Sequence, residues 1–119
     1  MKVKIGDYPK FRFYHAWLYR LFGYSPAPKV SVKIDKWDTH SMDHTLANIV
    51  LPMLKQFKEG NHGYPHGLTE KKWDNILDKM IYSFEKKLSE DAYDLNDKEQ
   101  KKMQEGFVLF GKYYQNLWD

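Results

Sequence analysis

Between Val30 and Phe57 the hydrophobic period changes, and that change constrains the fold more than any other feature of the chain. Val30, Val32 and Ile34 alternate with Ser31, Lys33 and Asp35, the period of two that marks a strand with one buried face. Met42, Leu46, Ile49, Val50, Met53, Leu54 and Phe57 then recur every three or four residues, one stripe of an amphipathic helix. The junction reads WDTHSMDH. Trp37, Asp38, Thr39, His40, Asp43 and His44 thus gather polar chemistry at a helix N-terminus, where unpaired N–H groups favour anions. Ser41 is the expected N-cap, Pro52 should kink the helix, and Gly60 should end it.

The flanking segments extend this pattern. Val3 and Ile5 alternate with Lys2 and Lys4, so a short strand opens the chain, followed by a turn at Gly6-Asp7-Tyr8-Pro9. FRFYHAWLYRLF at 11–22 fits either period; Gly23 as a C-cap favours a short helix from Tyr14 to Phe22. The prolines of SPAP make a connector. Thr69 should cap a second long helix with the stripe Trp73, Ile76, Leu77, Met80, Ile81, Phe84 and Leu88. Asp97 with Gln100 forms a capping-box start for a third, with the stripe Met103, Phe107, Phe110, Tyr114 and Leu117. The expectation is a single α+β domain over residues 1–119: a small antiparallel sheet from the N-terminal third packed on three longer helices.

Composition narrows the function classes. Without cysteine, disulfides, thiolate metal sites and a cysteine nucleophile are excluded, and the chain fits a reducing cytosol. No apolar run reaches the roughly 20 residues that span a bilayer, and the first residues have no signal-peptide pattern. The net charge of +3 is carried almost wholly by lysine, Arg12 and Arg20 being the only arginines. A duplex nucleic-acid binder needs a denser basic face, whereas a small anionic ligand is easily accommodated. The lysine pairs 71–72, 86–87 and 101–102 read as solvated helix faces.

Asp38, His40, Asp43 and His44, with His62 and His66, could ligate a metal, but their spacing matches no strong signature; helix capping and surface histidines account for them as well. Trp37 either plugs the core or offers a stacking platform for a base, with Thr39, His44 and helix N–H groups holding a phosphate. Tyr113 and Tyr114, adjacent on a helix, point about 100° apart, so one of them faces solvent, a partner or a ligand. Tyr64 stands in a loop that cannot easily bury it. Lys112 or Arg12 could supply charge to a phosphate, and Asp38 or Asp43 would accept from a base edge, a ribose hydroxyl or the backbone. The candidate ligand site is therefore Arg12, Trp37, Asp38, Thr39, Asp43, His44, Lys112, Tyr113 and Tyr114, with no catalytic residue, metal ligand or cofactor assigned.

The string KIDKWDTHSMDHTLANIVLPMLKQFKEGNHGYP resembles a segment found in many tailed-bacteriophage proteins. VKIGDY, WDNILDKMIYSFE and GFVLFGKYYQNLWD match the same set in order, so the resemblance spans most of the chain. That set is similar to phage nucleotide sponges, which bind cyclic nucleotide signals of bacterial defence systems such as CBASS and hold them uncleaved. The resemblance implies a homo-oligomer acting in the cytoplasm of the infected host, with a cyclic nucleotide as ligand. The alternatives are a metal-dependent nucleotide hydrolase built on the Asp/His cluster and a phage protein that binds a host protein.

Overall fold

The structure, a computed structural model, describes residues 1–6, 29–60 and 63–118. The expected turn at Gly6–Pro9, the Tyr14–Phe22 helix, the SPAP connector, Arg12 and His62 lie wholly or largely outside them. The chain divides into two compact units, Met1–His40 and Ser41–Asp119. The class is α+β, a two-stranded antiparallel sheet in the first unit and three long helices in the second. Among the described residues no helix is long and apolar enough to cross a membrane.

In the first unit, β1 (Lys2–Gly6) pairs with β2 (Lys29–Lys33), with Val3 opposite Val32 and Lys2 opposite Lys33. The alternation read from sequence therefore sorts lysines to one face and valines to the other. The apolar face is not buried as expected: Val30, Val32 and Ile34 are exposed. A two-stranded ribbon has little with which to cover either of its faces. A 3-10 helix, Lys36–Thr39, follows, with Asp35 and Asp38 forming a reciprocal capping box at its start.

In the second unit, α1 (Met42–Gly60) runs unbroken through Pro52. Ser41 directly precedes it, and its carbonyl accepts from the Thr45 N–H at 3.0 Å. Thr69 caps α2 (Glu70–Leu88) as expected, its hydroxyl accepting from the Lys72 N–H. The cap of α3 (Asp97–Lys112) is Asn96, one residue earlier than the sequence reading, its side chain accepting from Glu99 N–H at 2.8 Å. Asn and Asp cap about equally well, so neighbouring cap residues are not separable by type. Asp97 instead adds negative charge to the first turn, where the helix dipole favours it.

Helix α2 is the spine. Trp73, Leu77, Met80, Ser83 and Phe84 are buried along it, so its predicted stripe is the core. Ion pairs from Asp43 to Lys87 and from Lys58 to Asp78 run α1 antiparallel to α2. Those from Lys79 to Glu105 and from Lys86 to Glu99 run α3 antiparallel to α2. These exposed pairs set register more than they stabilise. The α2–α3 seam closes at Gly106, where an added Cβ would lie 1.8 Å from the Ser83 Oγ and 2.3 Å from the Lys79 carbonyl oxygen. Only glycine permits that approach. The buried Ser83 hydroxyl is satisfied across the seam by the Met103 carbonyl at 2.7 Å, with the Lys79 carbonyl of its own helix at 3.1 Å.

Candidate functional site

The second unit leaves a groove between α1 and α3, with α2 as its floor. The apolar arc of α1 is wider than α2 can cover. Ala47 and Leu54 are buried, whereas Leu46 and Met53, read from sequence as core, are exposed. On α3 the residues after Gly106 include the other wall, Phe107 and Phe110. Phe84 sits between them, its ring edge-on to both at 5.1 Å. One hollow, of about 630 Å³, is lined by Leu46, Val50, Phe84, Phe107, Phe110 and Tyr114, with Asp43 and Lys87 at its rim. A second hollow of about 350 Å³ continues it, sharing Val50, Phe110 and Tyr114 and ending at Phe57 and Leu117.

Two of the sequence-predicted residues, Asp43 and Tyr114, meet at this groove. Asp43 stands in the first turn of α1, and its carboxylate lies 2.5 Å from the Lys87 ammonium. The Lys87 contact first, and the His44 backbone N–H second, hold the Asp43 carboxyl below the ordinary carboxylate range. A first-turn donor expected to hold a phosphate is thus engaged by the helix's own acid. Tyr114 opens a 3-10 turn beyond α3 and stays exposed, edge-on to Phe110 at 5.7 Å.

The remaining residues of the second unit go elsewhere. Tyr113 is half-buried and packs edge-on against Trp73 at 5.6 Å. The tyrosine pair splits, one ring inward and one outward, but not along a helix as expected: α3 ends at Lys112, Tyr113 is its C-cap and Tyr114 belongs to the 3-10 turn beyond. Lys112 ends α3 with its ammonium 5.3 Å from the centre of the Tyr113 ring. His44 is exposed and lends its carbonyl to the Asn48 side chain at 3.1 Å.

Trp37, Asp38 and Thr39 belong to the 3-10 helix of the first unit. Trp37 is 76% exposed, which removes the core-plug reading. Its ring stands edge-on to His40 at 5.9 Å. Asp38 accepts from the Asp35 N–H at 2.6 Å and pairs with the Met1 amino group at 3.1 Å. The backbone bond first, then the amino group, holds its carboxyl low. Of the acceptor roles expected for Asp38, this is the backbone one. Thr39 directs its hydroxyl to the Lys36 carbonyl at 3.4 Å.

The sequence reading missed Lys87. The pair Lys86–Lys87 is not simply a solvated face: Lys87 binds Asp43, and Lys86 bridges Glu99 and Asp91 at 2.8 and 3.3 Å. Contacts with Glu99, then Asp91, raise the Lys86 pKa. The one signal was position, since a basic pair closing a helix complements its dipole. Among the described residues, no group of three or more His, Asp or Glu side chains is placed to hold a metal ion.

Chemically, the groove offers ring and aliphatic surface with one cation and one carboxylate at its rim. Such a lining can bind and orient a partly apolar ligand with polar edges. Comparisons with family models, with curated proteins and with solved structures return no match to this chain.

Proposed function

We propose that this chain is a binding protein that sequesters a cyclic nucleotide signal in the α1–α3 groove without cleaving it. The observation that carries the reading is the 630 Å³ hollow, whose size falls within the roughly 300–1,000 Å³ of small-molecule sites. Phe107, Phe110 and Tyr114 offer flat surfaces to the bases, each stacked base being worth about 1–3 kcal/mol. Lys87 leaves Asp43 to meet a phosphate, and the freed carboxylate takes a donor from a base edge or a ribose hydroxyl. A protein acting this way does so in the cytoplasm of an infected bacterium. The exposed Met42, Met53 and Val108 fit association into a homo-oligomer.

The test is retention. The protein is incubated with a panel of cyclic dinucleotides, desalted, then heated, and the released ligand is analysed by mass. Intact ligand is expected from the parent, and at least tenfold less from Lys87→Ala, whose melting temperature should fall only slightly through loss of the exposed Asp43 contact. Recovery of linear products would make the protein a hydrolase instead. Retention of nothing by the parent would end the sequestration reading.

A further inference from the structure

The charge of the chain is divided unevenly between its two compact units. Residues 1–40 carry eight lysines and arginines against three aspartates, and residues 41–119 carry eleven lysines against thirteen acidic residues. The positive excess therefore belongs wholly to the first unit. Such an asymmetry points to a polyanionic partner.

The ribbon concentrates that charge. Its register sets Lys2 directly opposite Lys33, with Lys4 next along the same face. Like charges facing each other across a ribbon are destabilising, and an anion placed between them relieves the repulsion. Among the described residues no carboxylate pairs with Lys2, Lys33 or Lys36. The two nearby carboxylates are engaged otherwise: Asp35 accepts from the Lys36 backbone N–H at 3.2 Å, and Asp38 from the Asp35 N–H and the Met1 amino group. The Met1–Asp38 contact also brings the 3-10 helix to the end of the ribbon where Lys2 and Lys33 stand. Lys36 and Trp37 begin that helix, and both are exposed.

These features select a ligand class. Three lysines at one end of a ribbon call for an anion with successive charges. Trp37 calls for flat rings between those charges, since every base has a π-face on which an indole can stack. A bilayer is a poor fit, because it takes apolar and basic side chains from one side, whereas the pleat sends Val30 and Val32 to the face opposite the lysines. An acidic polypeptide has the charge without the rings. A duplex hides its base faces within the stack, so an unpaired strand alone offers both.

We infer that the first unit binds single-stranded nucleic acid, with Lys2, Lys33 and Lys36 tracking its phosphates and Trp37 stacking on a base. The site lies within the first unit and is independent of the groove between α1 and α3.

The experiment follows the anisotropy of labelled strands of about 15 nucleotides, within the span that such sites cover, titrated with the full chain at several salt concentrations. Oligo(dT) and oligo(U) are the DNA and RNA arms, and binding of either supports the site. Log affinity should fall with log salt at a slope of about −2, roughly −0.7 for each lysine, and Lys33→Gln should make it shallower by about 0.7. Trp37→Ala should weaken binding about tenfold and leave the slope unchanged. An abasic strand of the same length should bind the parent about tenfold more weakly than oligo(dT) and be insensitive to Trp37→Ala. Lys87→Ala should change none of this. Binding of neither strand, or equal affinity for the abasic strand and oligo(dT), would overturn the assignment. So would tighter binding of a duplex, or displacement by polyglutamate, phosphatidylglycerol vesicles or a cyclic dinucleotide as effective as displacement by unlabelled oligo(dT).

Discussion

The two sides of α3 use the same kinds of residue and end in opposite states. Toward α2 it closes onto Ser83 and Lys79 at Gly106, leaving no room for a methyl group. Toward α1 its Phe107 and Phe110 face a groove. Hydrophobicity does not separate the two sides, since rings and aliphatic chains line both. Backbone approach does. One glycine lets two helices meet, while α1 and α3 reach each other only across the breadth of α2. An open apolar groove is thus built into the order of the helices, and its residues are available to a ligand without loss of the core.

The closed side should show the largest losses on truncation. Trp73→Ala should lose about 4 kcal/mol, because the ring is 1% exposed and its removal leaves a cavity. Gly106→Ala should lose about 3 kcal/mol despite the better helix propensity of alanine, since its Cβ would force Ser83 and the Lys79 backbone apart. Urea unfolding measures both. A neutral Gly106→Ala would mean that the helices do not approach as described.

On the open side the same kind of truncation should act on binding instead. Leu46→Ala, at a residue 44% exposed, is expected to cost under about 1 kcal/mol of stability. The same variant should reduce cyclic dinucleotide retention severalfold. A stability loss as large as that of Trp73→Ala would show that the groove is closed in solution.

Much of this was legible in the sequence. The α2 stripe from Trp73 to Leu88 has one partner-facing arc and became the core. The α1 stripe was equally regular, yet periodicity reports which residues share a face and not whether a neighbour is wide enough to cover it. Ala47, fully buried, was missed because a small residue adds little to an apolar pattern, and Gly106 because glycine adds nothing. The β2 alternation was right about faces and wrong about burial for the same reason. The Asp43–Lys87 contact joins positions far apart in sequence, which no local spacing encodes.

Trp37 and Trp73 offer a smaller effect of the same kind. Trp37→Ala should change stability by less than about 0.5 kcal/mol, because the ring is mostly in water. Set beside Trp73→Ala, it separates an exposed ring from a core ring within one chain. A Trp37→Ala loss of several kcal/mol would show that the ring is covered in solution.

The smallest effect is the pH dependence at the groove's rim. Asp43 has a carboxyl pKa lowered in the fold, by Lys87 first and by the His44 N–H second. A lowered folded-state pKa contributes stability above the unfolded value, about 3.9 for aspartate, and that contribution is lost as pH falls through the folded value. Asp43→Asn keeps the shape and removes the titration. Its melting temperature should therefore lie slightly below the parent's at neutral pH. The gap should shrink as pH drops below about 4 and vanish once the parent's Asp43 is protonated. The pair is exposed, so added salt should narrow the gap at neutral pH as well. A gap that is constant across the whole range would mean that the Asp43–Lys87 contact does not persist in solution. Lys87 would then be free to take a phosphate without first releasing Asp43, and the Asp43→Asn variant would retain cyclic dinucleotides as the parent does. If the gap closes with acid, the same variant should instead retain phosphate-bearing ligands differently from the parent: better if the carboxylate only competes for Lys87, worse if it also accepts from the ligand.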